Sequence, residues 1–101
     1  MASRLDLDAL LIELLGSENV YYQPPASVKM KYPAIVYSLE DIENMHSNNS
    51  VYKQNIAYQI TVIDKDPDSE IVKKVSRLPM CRFNRHFISD NLNHDVFILY
   101  Y

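Results

Sequence analysis

The sequence predicts an α+β domain: an antiparallel β-sheet with a long hairpin, flanked by an N-terminal helix and a second helix. Three observations predict it. Leu7, Leu10, Leu11, Leu14 and Leu15 recur at helical spacing. Val51 to Asp64 alternates apolar and polar side chains, as a strand with one wetted face does. Asp66-Pro67 opens an apolar helical stripe, and two apolar runs around a turn-like segment close the pattern as a hairpin. At 101 residues the chain is one domain over 1–101, and such a length buries about two-thirds of the unfolded surface.

The elements follow in order. Ser3 with Asp6 resembles a weak capping box, and Asp6 and Asp8 suit the positive end of the helix dipole. Gly16 stands where a left-handed residue ends the helix. Leu5 and Ile12 lie off the leucine stripe, which suits either a more enveloping core or cover by another subunit. Val20 to Gln23 is a short extended piece stopped by Pro24-Pro25, and Tyr32-Pro33 biases Tyr32 to an extended conformation before the next strand, Ala34 to Leu39. Glu40 to Ser50 breaks the strand pattern. In the strand from Val51, the side chains of Tyr52, Ile56, Tyr58, Ile60 and Val62 share one face, with Lys53, Asn55, Gln59 and Thr61 on the other.

The two strands and the segment between them form a hairpin long enough for its tip to project beyond the body. Asp66 is the expected N-cap and Pro67 the first residue of the second helix, which Pro79 ends. Met80 to Phe83 and Phe87-Ile88 flank a polar break, and Asp90 to His94 has turn composition. Asp95 to Tyr101 is apolar on both faces, so this last strand is expected in the interior of the sheet.

A net charge of −3 argues against general affinity for nucleic acid. The charge is unevenly placed. Arg4 stands against Asp6, Asp8, Glu13 and Glu18, whereas Lys73, Lys74, Arg77, Arg82 and Arg85 stand against Glu70 alone. Such patches suit a solvated surface, or head-to-tail contact between copies. Cys81 is the sole cysteine, which rules out an internal disulfide and fits a reducing compartment. It reads as a small buried hydrophobe at a strand entrance. No signal peptide is expected, because Asp6, Asp8 and Glu13 interrupt the first apolar run.

Chemistry is sparse. With Gly16 the sole glycine, no Gly-rich phosphate loop is present. Cys81, His86 and His94 match no zinc spacing, and nothing local supports a Cys81–His86–Asp90 nucleophile. Asp64, Asp66, Asp68 and Glu70 alternate like a calcium loop but lack its glycine and terminal bidentate glutamate. No metal, cofactor or catalytic residue is expected, and the chain does not read as an enzyme. Tyr21, Tyr22, Tyr100 and Tyr101 are contact-surface candidates among tyrosines that otherwise suit core and sheet. Glu40, Asp41 and Glu43, with Ile42 and Met45 as apolar anchors, read either as a solvated loop or as an arm that orders on a partner.

The run ITVIDKDPDSEIVKKV, followed by LPMCRFNRHFISDNLNHDVFILYY, resembles the tail-terminator (tail-completion, minor tail) proteins of long-tailed bacteriophages. The pieces that carry the resemblance are Asp64, Asp66, Pro67, Asp68 and Ser69; Arg85-His86-Phe87, Asp90 and Leu92-Asn93-His94-Asp95; and Tyr32-Pro33-Ala34-Ile35-Val36-Tyr37. Together they span about three-quarters of the chain and are structural, not catalytic. The resemblance implies a virion protein, made in the host cytoplasm, that forms a hexameric ring on the last ring of tail tube. It would stop tube growth and present its other face to the head connector. Its partners would be further copies of itself, the tail tube protein and the head–tail connector or stopper protein. DNA would be only a passing polymer, and no membrane is involved.

Interface residues come from the charge pattern and not from the resemblance. The basic residues Lys73, Lys74, Arg77, Arg82 and Arg85 are expected between subunits, facing Asp6 and Glu13 or the acidic arm. The arm residues Glu40, Asp41, Ile42, Glu43 and Met45 are expected toward the tube or lumen, where acids do not grip phosphate. The alternatives are another neck component, such as a head–tail stopper or joining protein, and a tail-tube relative.

Overall fold

The computed structural model describes residues 4–47 and 50–101, and the side chains of all of these except 46, 47 and 50–53. The expected Ser3 cap, part of the Glu40 to Ser50 segment and the facing of Tyr52 and Lys53 lie outside the described residues. Helix α1 (Arg4–Leu15) leads to strands β1 (Val20–Tyr22), β2 (Ala34–Ser47) and β3 (Ser50–Asp64). Helix α2 (Glu70–Ser76) and the hairpin of β4 (Cys81–Ser89) and β5 (Leu92–Tyr100) follow. The architecture is α+β, with a five-stranded sheet in the order β1-β2-β3-β5-β4. No helix among the described residues is long and apolar enough to cross a membrane.

Both helices lie on one face of the sheet. Leu7 and Leu11 of α1 and Val75 of α2 bury themselves against Ile35, Tyr37, Tyr58, Ile60, Val62, Phe97 and Leu99. These sheet residues alternate along their strands, so one face of β2, β3 and β5 supplies the core. The α1 stripe ends as its sequence implies: Gly16 adopts φ 77° and its N–H donates to the Ile12 carbonyl at 2.9 Å. β5 sits inside the sheet between β3 and β4, with Val96 and Ile98 also buried on its second face.

Several local expectations are corrected. The sheet is mixed, because β1 pairs parallel with β2 through Val20↔Ile35 and Tyr22↔Tyr37. The connection from β1 to β2 returns across the helix-free face, where the Lys31 N–H donates to the Tyr21 hydroxyl at 3.4 Å. The peptide bond before Pro33 is cis. Asp66 is not the cap of α2. Its carboxylate accepts from the Asp68 N–H at 2.9 Å in a local turn, and Ser69 caps the helix by accepting from the Ile71 N–H at 3.2 Å. The polar break at Asn84 is a bulge between Phe83 and Arg85 inside a continuous β4. The hairpin turn shrinks to Asp90 and Asn91, both at positive φ (52° and 62°), so β5 begins at Leu92.

The largest correction concerns the segment after Leu39. Instead of a loop, residues 40–47 continue β2, paired with β3 out to Ser47↔Ser50 and offset by register shifts at Leu39/Asp41 and Met45/His46. The β3–β5 ladder begins only at Ala57↔Tyr100, so the outer part of the β2–β3 hairpin is a two-stranded arm. Asn44 and Gln54 join across it at 2.9 Å. The molecule measures 51 × 26 × 23 Å, and its long axis matches the ~50 Å length of a strand of about 15 residues.

Candidate functional site: two unlike lateral edges

The sheet order places the charged residues at opposite ends of the molecule. α1 lies over β1 and β2, and α2 lies beside it over β4. Asp6 and Glu13, both exposed on α1, therefore belong to the β1 end, and Lys73, Lys74 and Arg77, exposed on α2, to the β4 end. The five basic residues do not form one patch. Arg82 and Arg85 pair across the ladder with Ile98 and Val96, which puts them on the helix-free face, so the sheet separates them from the α2 cations. Lys73 also has a partner within its own helix, Glu70 at 3.2 Å.

β4 is an open edge. Eight of its residues, Arg82 to Ser89, are exposed, including Phe83, Phe87 and the 68% exposed Ile88. Phe83 packs edge-on against Phe97 with centroids 5.5 Å apart, so one ring face stays free. On the helix-free side Phe87 stacks on His94 at 4.6 Å, and the Arg85 guanidinium lies 5.5 Å from the Phe87 ring centre. The residues Cys81 to Ser89 contain two arginines and a histidine but no acid.

At the other end β1 covers β2 only as far as Tyr37, after which Gln23 continues the cover briefly. Its N–H donates to the Tyr37 carbonyl at 2.9 Å, and its side-chain oxygen accepts from the Leu39 N–H at 3.2 Å. From Asp41 outward the edge of β2 is open. Glu40, Asp41, Ile42, Glu43 and Met45 are all exposed there. Asp41 and Glu43 pair with Ala57 and Asn55 and so share the helix-free face. Ile42 pairs with Ile56 on the face that carries the helices.

One polar cluster anchors α1. The Tyr37 hydroxyl donates to Asp8 Oδ2 at 2.5 Å and accepts from Arg4 at 3.1 Å. The Arg4 guanidinium lies 4.4 Å from the Tyr22 ring centre, and the Tyr22 and Tyr37 rings are 4.8 Å apart. Tyr22 is thus a structural residue and not a free contact surface. Burial, followed by the hydrogen bond to Asp8, pushes the Tyr37 phenol up to about 12. The folded state holds this proton more tightly than the unfolded chain, whose phenols titrate near ~10. Stability is therefore full below that pH and falls as pH rises through ~10 toward the folded value. Urea unfolding at successive alkaline pH values is expected to show this fall, and Tyr37→Phe should flatten it relative to the native chain.

The residues considered for chemistry do not converge. Cys81 is half-buried beneath the helices, and burial pushes its thiol up, away from the reactive thiolate. His86 bonds Asp95 at 2.8 Å, while His94 bonds the Leu92 carbonyl at 3.1 Å. Asp64 and Asp66 are spent on backbone N–H groups of their own loop. Among the described residues no group of three His, Cys, Asp or Glu side chains could hold a metal ion. An apolar cavity of about 300 Å³ lies between Leu10, Leu78, Pro79, Met80 and the end of β5, without a charged group to orient a substrate. No protein-family model matches this chain, and no curated protein matches it.

Proposed function

We propose that the protein is a structural component of a long-tailed phage virion. It caps the growing tail tube as a ring of identical copies, stops tube polymerisation and offers its other face to the head connector. The residues that resemble the tail-terminator group support the virion part of this reading. What carries the assembly part is the unlikeness of the two lateral edges: exposed acids on α1 and the β2 arm at one, exposed cations and aromatic rings on α2 and β4 at the other. A ring needs two different complementary surfaces on each subunit, because a heterologous contact repeats until it closes.

In the ring, the α2 cations face Asp6 and Glu13 of the adjacent copy. The projecting arm, with Glu40, Asp41 and Glu43, reaches toward the tube or the lumen. Carboxylates there repel the phosphates of passing DNA, so the polymer is not held. Tube protein, connector and further copies are the partners, with contacts made by surface matching and no bond chemistry.

Electron microscopy of purified tail tubes mixed with the protein tests the proposal. A terminator gives density on one end of each tube and blocks further addition of tube protein. Long tubes made of the protein itself would identify a tail-tube relative instead. Tubes that stay bare and keep growing would remove the capping role.

A further inference from the structure

Helix α1 carries apolar side chains on its outer face as well as on the face the sheet covers. Leu7 and Leu11 are buried, and Leu10, Leu14 and Leu15 pack beside them. On the outside Leu5, Ala9 and Ile12 follow one another at i, i+4 and i+7. Leu5 is 67% exposed, Ala9 is exposed and Ile12 is half-buried. Asp6 and Glu13 flank this ridge. A helix that is apolar on all sides belongs inside a core or an interface.

A second apolar strip lies at the opposite edge of the sheet, on the helix-bearing face of β4. Phe83, which pairs with Phe97, is 54% exposed there, and Ile88 is 68% exposed. Met80, at the entrance to the strand, is 72% exposed. Lys73, Lys74 and Arg77 stand exposed on α2 above the strip. An acid-flanked ridge and a cation-flanked strip thus occupy opposite ends of one molecule.

The helix directions agree with that match. α2 joins Asp64, which is level with Ile88 across the ladders, to Cys81. It therefore runs from the Ile88 end of β4 back to the Met80 end. α1 runs the other way. Its first residue, Arg4, reaches Tyr37, level with Phe83, and the chain after it enters the sheet at Val20, level with His86. Copies placed side by side with their strands alike in direction set α1 of one antiparallel to α2 of the next. Leu5 then comes level with Phe83 and Met80, and the later turns of α1 approach Ile88. Leu5 and Ile12 stand ~10 Å apart along the helix, and Phe83 and Ile88, four paired positions apart, ~13 Å apart along the strand.

We infer that α1 of one copy docks in the corner between α2 and β4 of a second copy. Leu5 packs on Phe83 and Met80, Ile12 approaches Ile88, and the acids beside the ridge meet the α2 cations. The positive end of α1 falls beside the negative end of α2. Like-with-like contacts are opposed, because two ridges would bring acids together and two strips would bring cations together. The inference rests on the proposed function for the side-by-side placement of copies. It leaves the arm free to reach the tube or lumen, and leaves β1 and Gln23 in place on β2, since helices and side chains make the contact and no strand is added.

Crosslinking with a short bismaleimide, in chains whose native thiol is removed by C81A, reads the contact. Mixed L5C and F83C chains are expected to give a covalent dimer, while either chain alone gives none. L5C with I88C should give far less. Circular dichroism checks that each variant is folded; should F83C unfold, M80C takes its place, because Met80 is largely exposed. A dimer from L5C alone, equal yields from F83C and I88C, or no product either free or on capped tubes would each overturn the inference. Product without tube capping would leave the inference standing and remove the proposed function. Capping without product would do the reverse.

Discussion

Phe97→Ala is expected to lower the free energy of unfolding by about 3–5 kcal/mol, a large share of the ~5–15 kcal/mol typical of a domain. Phe97 is fully buried at the centre of the helix-bearing face. It pairs with Ile60 on one side and Phe83 on the other, and its ring meets Phe83 edge-on. Truncation loses the transfer free energy of the ring and leaves a hole that Leu7, Leu11 and Val75 can fill only if the helices shift toward the sheet. Urea unfolding of the variant beside the native chain measures the loss. A change below about 1 kcal/mol would mean that the core does not centre on β5.

Reversing Lys73, Lys74 and Arg77 to glutamate is expected to abolish ring formation while leaving the chain folded. All three side chains are exposed on the last turns of α2 or its cap, so the reversal creates no cavity. It removes the exposed Lys73–Glu70 pair, worth at most about 1 kcal/mol, and places acids at the helix end that favours cations, ~0.3–1 kcal/mol for each. Against that modest loss, three attractive charges facing the acidic α1 of a neighbour become repulsive. Light scattering at the end of the tube-capping reaction separates the outcomes. Rings that persist after the reversal would remove α2 from the interface.

The elements legible in the sequence are those whose pattern is set by one buried face. The α1 leucines and the alternation of Ile56, Tyr58, Ile60 and Val62 declare that face without reference to anything else. The apolar residues on both sides of β5 likewise give its interior place. The misread segments are those where a partner supplies what local preference withholds. Glu40, Asp41 and Glu43 are poor strand formers, yet the ladder to β3 and a bulge near Glu40 hold them extended. Asn84 looked like a break because a bulge absorbs it while β5 keeps both flanks in one strand. Ser69 displaced Asp66 as helix cap because the Asp66 carboxylate was already used two residues on.

The charged residues of the candidate site were visible as two groups, and their separation to opposite ends of one sheet was not. That placement depends on strand order, through the return of β5 between β3 and β4 and the parallel docking of β1. Sorting of Arg82 and Arg85 from Lys73, Lys74 and Arg77 onto opposite faces depends in turn on the register of β4. Local spacing carries neither. The arm, in contrast, was expected to project, on the length of the Val51 to Asp64 strand alone.

The most direct measurement is the length distribution of tails assembled in an infected host when this protein is withheld and all other virion proteins are present. The account predicts tails of abnormal, variable length that do not join heads, restored to one length and to head joining when the protein is supplied. Tails of normal uniform length that join heads in its absence would contradict it.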